Sequence, residues 1–117
     1  MKIINLTWHD VNVVKQNTTI LLPKLDGVKI HLQIMVEQTG NVLDSNTKEN
    51  IPVFNYKYTL SDHIINSVAP KKRGTIYLVS RVVAEYTKRE DFYVTGQHYK
   101  MDGRVIWTKG IQKNPYI

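Results

Sequence analysis

The pattern of apolar and polar positions predicts a protein built mainly of β-strands. From Val28 to Glu37, apolar side chains occupy every second position. Successive side chains of a strand point to opposite faces of a sheet, so this period of two predicts a half-buried strand. Residues 54–60 repeat the pattern, and Pro52 indicates that this second strand begins nearby or lies at a sheet edge.

Turn-forming residues predict two hairpins. The short β-branched runs Val11–Val14 and Thr18–Leu21 flank a polar turn and predict the first hairpin. Asp102-Gly103 lies between two apolar segments and predicts the second. This dipeptide adopts the positive φ angles that a tight type I′ turn requires, so the second hairpin is expected to turn there.

Two short helices are predicted in the second half of the chain. Thr75–Val79 has the composition of a strand, and Ser80 after it suits a helix N-cap, because its hydroxyl accepts from free amides of the first turn. Apolar spacing of three and four predicts that this helix runs from Ser80 to Arg89. Ser61–Val68 predicts a second helical turn.

These elements predict the fold class. The polar stretch Thr39–Asn50 is rich in turn formers and predicts a mobile loop between the two long strands. We therefore expect a single α+β domain over residues 1–117, with a mainly antiparallel β-sheet and one or two short helices packed on one face.

Composition narrows the possible functions. The 117 residues fit one domain, and the absence of cysteine excludes disulfide frameworks, thiolate zinc sites and cysteine nucleophiles. Sixteen Lys and Arg against ten Asp and Glu give a net charge of +6, which favours anionic partners. No apolar run approaches the roughly 20 residues of a membrane span. The first residues also lack the apolar region of a secretion signal. We expect an intracellular protein without a membrane partner.

No motif indicates an enzyme. The four histidines lie on four different segments, and no two have the spacing of a metal site. Gly-rich phosphate loops and nucleophile elbows do not occur. The sequence therefore predicts no catalytic residue, no metal and no cofactor.

Basic residues predict an anion site near the second helix. Lys71-Lys72-Arg73 is the densest positive cluster. A strand that ends at Val79 and a helix that begins at Ser80 would place free amides and the positive end of the helix dipole together. Arg81 opposes that dipole, and a residue that opposes a local rule often serves a site. The alternative, a solvated loop and an ordinary charged helix face, stays open.

Tyrosine usage is consistent with a nucleotide-like ligand. Seven Tyr against two Phe favour side chains that both stack and form hydrogen bonds. Tyr77 is the tyrosine that we expect at the binding site, stacked on a base or a similar ring. Packing in the core is the alternative.

Several segments resemble a known group of proteins. The opening Asn5-Leu6-Thr7-Trp8-His9-Asp10-Val11-Asn12-Val13 resembles the Asn-Leu-Thr-Pro-His-x-Val-Asn-Ile start of small uncharacterised proteins from phages and prophages. Ile51–Val53, Gly74–Ser80 and parts of residues 89–106 are similar to the same group, so the resemblance covers about half of the chain. Trp8 replaces the usual Pro, and the polar stretch 39–50 is additional.

The resemblance implies a phage-encoded accessory protein in the cytoplasm of an infected or lysogenic bacterium. Its shared polar residues are Asn5, Thr7, His9, Ser80 and Asp91, which become candidate ligand-binding residues. A structural account of each remains open: a tight turn for the first three, a helix cap for Ser80, and a cap or ion pair for Asp91.

The leading hypothesis is a non-enzymatic binding protein that sequesters a small anionic, nucleotide-derived host defence signal. In it, Arg81 and the amides after Ser80 hold phosphate. The alternative is a nucleic-acid-binding or host-protein-inhibiting module, although no helix-turn-helix, zinc finger or RNP motif is present. A short sheet with one good helix leaves a sheet face poorly covered, which predicts a homodimer or higher homo-oligomer.

Overall fold

The computed structural model describes residues 1–26, 30, 33–103 and 105–117. Within them the elements follow in this order: β1 (Lys2–Asn5), β2 (Asp10–Lys15), β3 (Thr18–Leu22), β4 (Gln33–Leu43), β5 (Asn50–Thr59), α1 (Asp62–Val68), β6 (Thr75–Leu78), α2 (Arg81–Thr87), β7 (Phe92–Thr95), β8 (His98–Asp102), β9 (Val105–Thr108) and β10 (Ile111–Lys113). The chain divides into two compact units, Met1–Ile30 with Asp62–Ile117, and His31–Ser61.

The larger unit contains two four-stranded sheets. Their strand orders are β1-β6-β7-β10 and β3-β2-β9-β8. Strands β1, β6 and β7 are parallel, and so are β2 and β9, whereas the remaining neighbours are antiparallel. The α+β class is confirmed, and the two sheets are mixed rather than purely antiparallel, since three of the seven described strand pairings are parallel. The parallel pairs join segments that are far apart along the chain or are connected through α2, and alternation of side chains does not reveal such pairings.

Strand β6 lies at the centre of the larger unit, and all of its residues are buried. On one side, Leu78 packs with Val11 of β2 and Ile106 of β9 in the core cluster. Tyr77 meets Phe92 edge-on, with ring centroids 5.9 Å apart. A strand covered on both faces has the continuous apolar run that the sequence shows at Thr75–Val79.

Both predicted helices are present. The N-cap at Ser80 is confirmed, since its side chain accepts a hydrogen bond from the amide of Val83. Helix α2 ends at Thr87, earlier than the predicted Arg89, because Lys88 takes a left-handed conformation with φ 49° and its amide donates to Ala84 O. In the described part of the chain no helix has the length and apolar character needed to cross a membrane.

The two predicted hairpins are also present. Strands β2 and β3 pair antiparallel from Val11–Leu22 to Lys15–Thr18, and β8 pairs antiparallel with β9. Asp102 belongs to β8 and pairs with Val105, so it does not occupy a central turn position. Gly103 has φ +57°, a left-handed angle that glycine adopts without steric cost.

The smaller unit is one long hairpin. Strands β4 and β5 pair antiparallel from Gln33–Thr59 to Leu43–Asn50, with an irregularity between Gln38 and Gly40. Half of the predicted loop at 39–50 is therefore wrong: β4 continues across the irregularity, and only residues 44–49 connect the strands. A bulge shifts which residues share a face, and that hides the strand from a period-two pattern. Residues 28–29 and 31–32 of the predicted strand from Val28 lie outside the described residues.

The connection between β4 and β5 is ordered by Asp44. Its carboxylate accepts hydrogen bonds from the amides of Asn46 and Thr47 and from the Thr47 hydroxyl. The hydrogen bond from the Thr47 hydroxyl is the main reason why the pKa of Asp44 lies below its ordinary value. Local bonds of this kind hold the polar turn in place without any help from a core.

Candidate functional site: a basic cleft at the end of helix α2

Two basic segments meet at one cleft. Residues 71–73 follow α1, and Lys88 and Arg89 follow α2. Both segments lead directly into strands that are parallel neighbours, β6 and β7. The amino ends of parallel neighbours lie at the same edge of a sheet, so the two segments come together there. The cleft has a volume of about 510 Å³ and is lined by Lys71, Lys72, Arg73, Thr87, Lys88, Arg89, Glu90 and Asp91.

Arg89 forms the floor of the cleft. Its Nε and Nη2 donate to the two carboxylate oxygens of Asp91 at 2.9 and 2.5 Å, and its Nη1 donates to Ala69 O at 2.8 Å. The guanidinium carbon lies 4.2 Å from the centroid of the Phe92 ring, and the Arg89 side chain is only 9% exposed. This paired, stacked arginine joins the end of α1 to the start of β7. Its charge is balanced by Asp91.

The other four basic side chains of the cleft are exposed to solvent. Lys71, Lys72, Arg73 and Lys88 are exposed, and together with the paired Arg89 they oppose two acidic residues in the lining. The backbone of the loop is held in place, because Lys72 O accepts from the amide of Thr75 at 3.1 Å. Gly74 completes this turn at φ +79°. A fixed backbone therefore carries long, solvated, positively charged side chains.

A second cavity adjoins the cleft. It has a volume of about 410 Å³ and shares Lys71, Thr87 and Arg89 with the cleft. Tyr86 also lines it and is 41% exposed. An aromatic ring thus lies beside a concentration of positive charge.

Asn5, Thr7 and His9 lie together at the end of β1 and in the turn that follows it. The Asn5 amide nitrogen donates to His9 O and Leu22 O, and its oxygen accepts from the amide and the hydroxyl of Thr7. Asn5 is 3% exposed. These bonds shape the turn between β1 and β2 and join it to β3. The His9 Nδ1 atom is buried and has no hydrogen-bond partner within the described part of the chain.

Ser80 and Arg81 lie at the other end of α2 from the cleft. The Ser80 hydroxyl is occupied by the cap to Val83. Arg81 Nη2 donates to Thr95 O at the end of β7, at 3.2 Å. The structure therefore separates Arg81 from the Lys71–Arg73 cluster.

Tyr77 and Asp91 belong to the region of the cleft. Asp91 lines it and holds Arg89. Tyr77 is 2% exposed, and its hydroxyl donates to Pro70 O at 2.6 Å. Burial raises the pKa of Tyr77, against the opposing effect of the Arg89 charge. The ring lies in the core beneath the cleft.

Sequence reasoning found the basic residues of the cleft but did not bring them together. Residues 71–73 and 88–89 each stand one or two positions before a short apolar segment, and helix α2 lies between them. A strand, a helix and a second strand in this order favour a parallel pair. That pattern predicts that the two basic segments lie at the same end of a parallel pair. We missed it because we expected antiparallel strands.

Within the residues that the structure describes, no group of three or more His, Cys, Asp or Glu side chains is placed to hold a metal ion. Comparison with known proteins finds no family model, no curated protein sequence and no solved structure that matches this chain significantly.

Proposed function

We propose that the protein binds and sequesters a small, phosphate-bearing anion derived from a nucleotide, and that the basic cleft is its site. The meeting of residues 71–73 with Lys88 above the Arg89–Asp91 pair carries the proposal. Because Asp91 already balances Arg89, the exposed cations supply an excess of positive charge. A phosphate group is the ligand that offers several strong acceptors to such donors.

The cleft offers several positively charged side chains and enough space for a small phosphate-bearing ligand. Lysines act as mobile point charges on phosphate, and Arg73 offers a planar fork that binds two oxygens at once. A volume of about 510 Å³ lies within the range of small-molecule sites. Tyr86 in the adjoining cavity provides a ring on which a base could stack. The resemblance to phage proteins extends the proposal to a host defence signal as the ligand.

Nucleic-acid binding is the second candidate, and the exposure of residues 71–73 on one loop favours it. The two candidates differ in their dependence on salt. Duplex affinity falls steeply with salt, in proportion to the number of phosphates contacted, whereas a small ligand with few phosphates responds much less. Titrations of ADP and of a short DNA duplex over a series of salt concentrations separate them.

Calorimetric titration with ADP and with inorganic pyrophosphate tests the site. We expect the double variant Lys71→Ala/Lys72→Ala to lose at least about 150-fold in affinity, because it removes two charge-assisted contacts, each worth about 1.5–3 kcal/mol. The matched control is Lys15→Ala/Lys57→Ala, which removes the same charge from exposed positions on β2 and β5. We expect this control to bind as the wild type does.

Arg81→Ala distinguishes the two ends of α2. If this variant loses binding while Lys71→Ala/Lys72→Ala keeps it, the ligand lies at the start of the helix and the cleft is the wrong site. Chromatography of ADP after incubation tests sequestration, since a binding protein returns the nucleotide intact. Conversion of ADP to a product would contradict the proposal.

A further inference from the structure

One face of the β4–β5 hairpin carries its three aromatic side chains and no charged residue. Residues directly opposite each other in an antiparallel pair point to the same side of the sheet. The opposite pairs Ile34–Tyr58 and Val36–Tyr56 therefore share a face. Beyond the irregularity, Leu43 pairs with Asn50 and joins this face. The aromatic face, as we name it, is formed by the six large side chains Ile34, Val36, Leu43, Phe54, Tyr56 and Tyr58. The uncharged polar residues Gln38, Asn41 and Asn50 lie among them on the same side.

The aromatic face is open to solvent. Its six side chains are between 41% and 64% exposed. Three of them are aromatic side chains, which bury about 150–250 Å² each, so six side chains that are about half exposed offer at most roughly 600 Å² of largely apolar surface. This is the upper end of the roughly 300–600 Å² that the largest patch of a monomer exposes. It also approaches the roughly 800 Å² that each partner contributes to a stable interface.

The charge of this face fits a second copy of the same chain. None of its six residues is charged, whereas Glu37 and Lys57 lie on the opposite face of the hairpin. In a symmetric dimer each patch meets a copy of itself, so a patch with charges of one sign would face charges of the same sign. A neutral apolar face avoids that repulsion in a protein with a net charge of +6.

The β4–β5 hairpin is a two-stranded sheet, which a second layer on its apolar face would stabilise. Its two strands form a sheet of their own, and a two-stranded hairpin is only marginally stable in water unless its apolar face is covered. Two such hairpins packed face to face, about 10 Å apart, would supply that layer to each other. We propose that the protein forms a symmetric dimer in which the aromatic face of one chain packs on the aromatic face of a second copy.

Adjacent positions on opposite faces provide a matched test. Val36 lies on the aromatic face, and Met35 lies on the other face, opposite Lys57. Both side chains are more than half exposed. In analytical ultracentrifugation we expect the wild type and Met35→Glu to sediment at twice 13.6 kDa, and Val36→Glu at 13.6 kDa. Far-UV circular dichroism checks that each variant is folded.

A thiol-labelling experiment keeps the proposal testable if Val36→Glu fails to fold. The chain has no cysteine, so a single introduced thiol reports on its own position. At a total concentration of about ten times the dissociation constant, about one chain in five stays monomeric. We therefore expect maleimide labelling of Val36→Cys to slow about fivefold relative to a dilute sample, and that of Met35→Cys to stay constant.

Three results would overturn this proposal. The first is a wild type that stays monomeric up to a concentration of about 1 mM. The second is a dimer that both glutamate variants leave intact, which would indicate pairing through a strand edge or another surface. The third is equal protection of the two thiols. ADP binding is measured separately at the basic cleft, so these outcomes leave the proposed function untouched.

Discussion

At the scale of the residue, Asn5 and Arg89 show how a polar side chain organises its neighbourhood. Asn5 lies at the end of β1, and Arg89 lies just after α2. Every side-chain nitrogen and oxygen of these two residues forms at least one hydrogen bond. Removing either one leaves partners buried without a hydrogen bond, which costs more than the bond itself contributes. Their type was visible in the sequence, whereas their partners were not.

Asn5→Ala is expected to lower the free energy of unfolding by about 2–4 kcal/mol, because the carbonyls of His9 and Leu22 and the amide and hydroxyl of Thr7 each lose a hydrogen bond to its side chain. Chemical denaturation followed by circular dichroism measures the change. Asn55→Ala, at an exposed position of β5, is the control and should stay within about 0.5 kcal/mol of the wild type. Equal stability of the two variants would show that Asn5 does not hold the turn.

Tyr77 predicts a dependence of stability on alkaline pH. Burial raises its pKa above the ordinary value of 10.0, so the folded state binds the phenolic proton more tightly than the unfolded state does. Its contribution to stability is complete below pH 10 and is lost as the pH rises through the higher pKa of the folded state. Tyr77→Phe should therefore show a weaker loss of stability above about pH 10 than the wild type. Parallel pH profiles would contradict this.

At the scale of the element, the two ends of α2 differ: a side-chain cap stabilises the first, and the second contributes a positive charge to the cleft. Its first turn is capped by Ser80. Beyond its last turn, Lys88 adopts a left-handed conformation, and Asn114 donates to Ala84 O and Arg89 O. A side chain at a left-handed position costs about 1 kcal/mol relative to glycine. Lys88 therefore stands at a position where glycine would be more stable, and it also lines the basic cleft.

Lys88→Gly is expected to raise the free energy of unfolding by about 1 kcal/mol, since glycine relieves the left-handed strain. It should at the same time weaken ADP binding, because one cation leaves the cleft. Lys88→Ala removes the same charge and keeps the strain, so it should weaken binding without raising stability. Denaturation and calorimetry on both variants measure the two effects. A stabilised Lys88→Ala would rule out this account of the position.

At the scale of the whole molecule, the two compact units differ in burial. Strand β6 is buried throughout, whereas every residue of β5 is exposed. Amide hydrogens exchange slowly where opening requires a core to separate, and quickly where only a few contacts hold a strand. The hairpin unit and the larger unit should therefore open with different free energies.

Hydrogen–deuterium exchange in a dilute sample should show amides of β6 exchanging at least about 100-fold more slowly than those of β4 and β5. Strand β2 of the other hairpin is the comparison. Because β2 also pairs with β9, its amides should exchange about as slowly as those of β6. Uniform protection across the whole chain would contradict a division into units of unequal stability.

The sequence by itself determined the local elements. The hairpin at residues 10–22, the β8–β9 hairpin, the Ser80 cap and both helices depend on side chains within a few positions of one another, and nearest-neighbour patterns carry that information. Only the tertiary structure decided that β1, β6 and β7 are parallel and that residues 71–73 meet Lys88. These arrangements join positions that are distant along the chain, where hydrophobic patterning says which faces are buried but not which strands become neighbours.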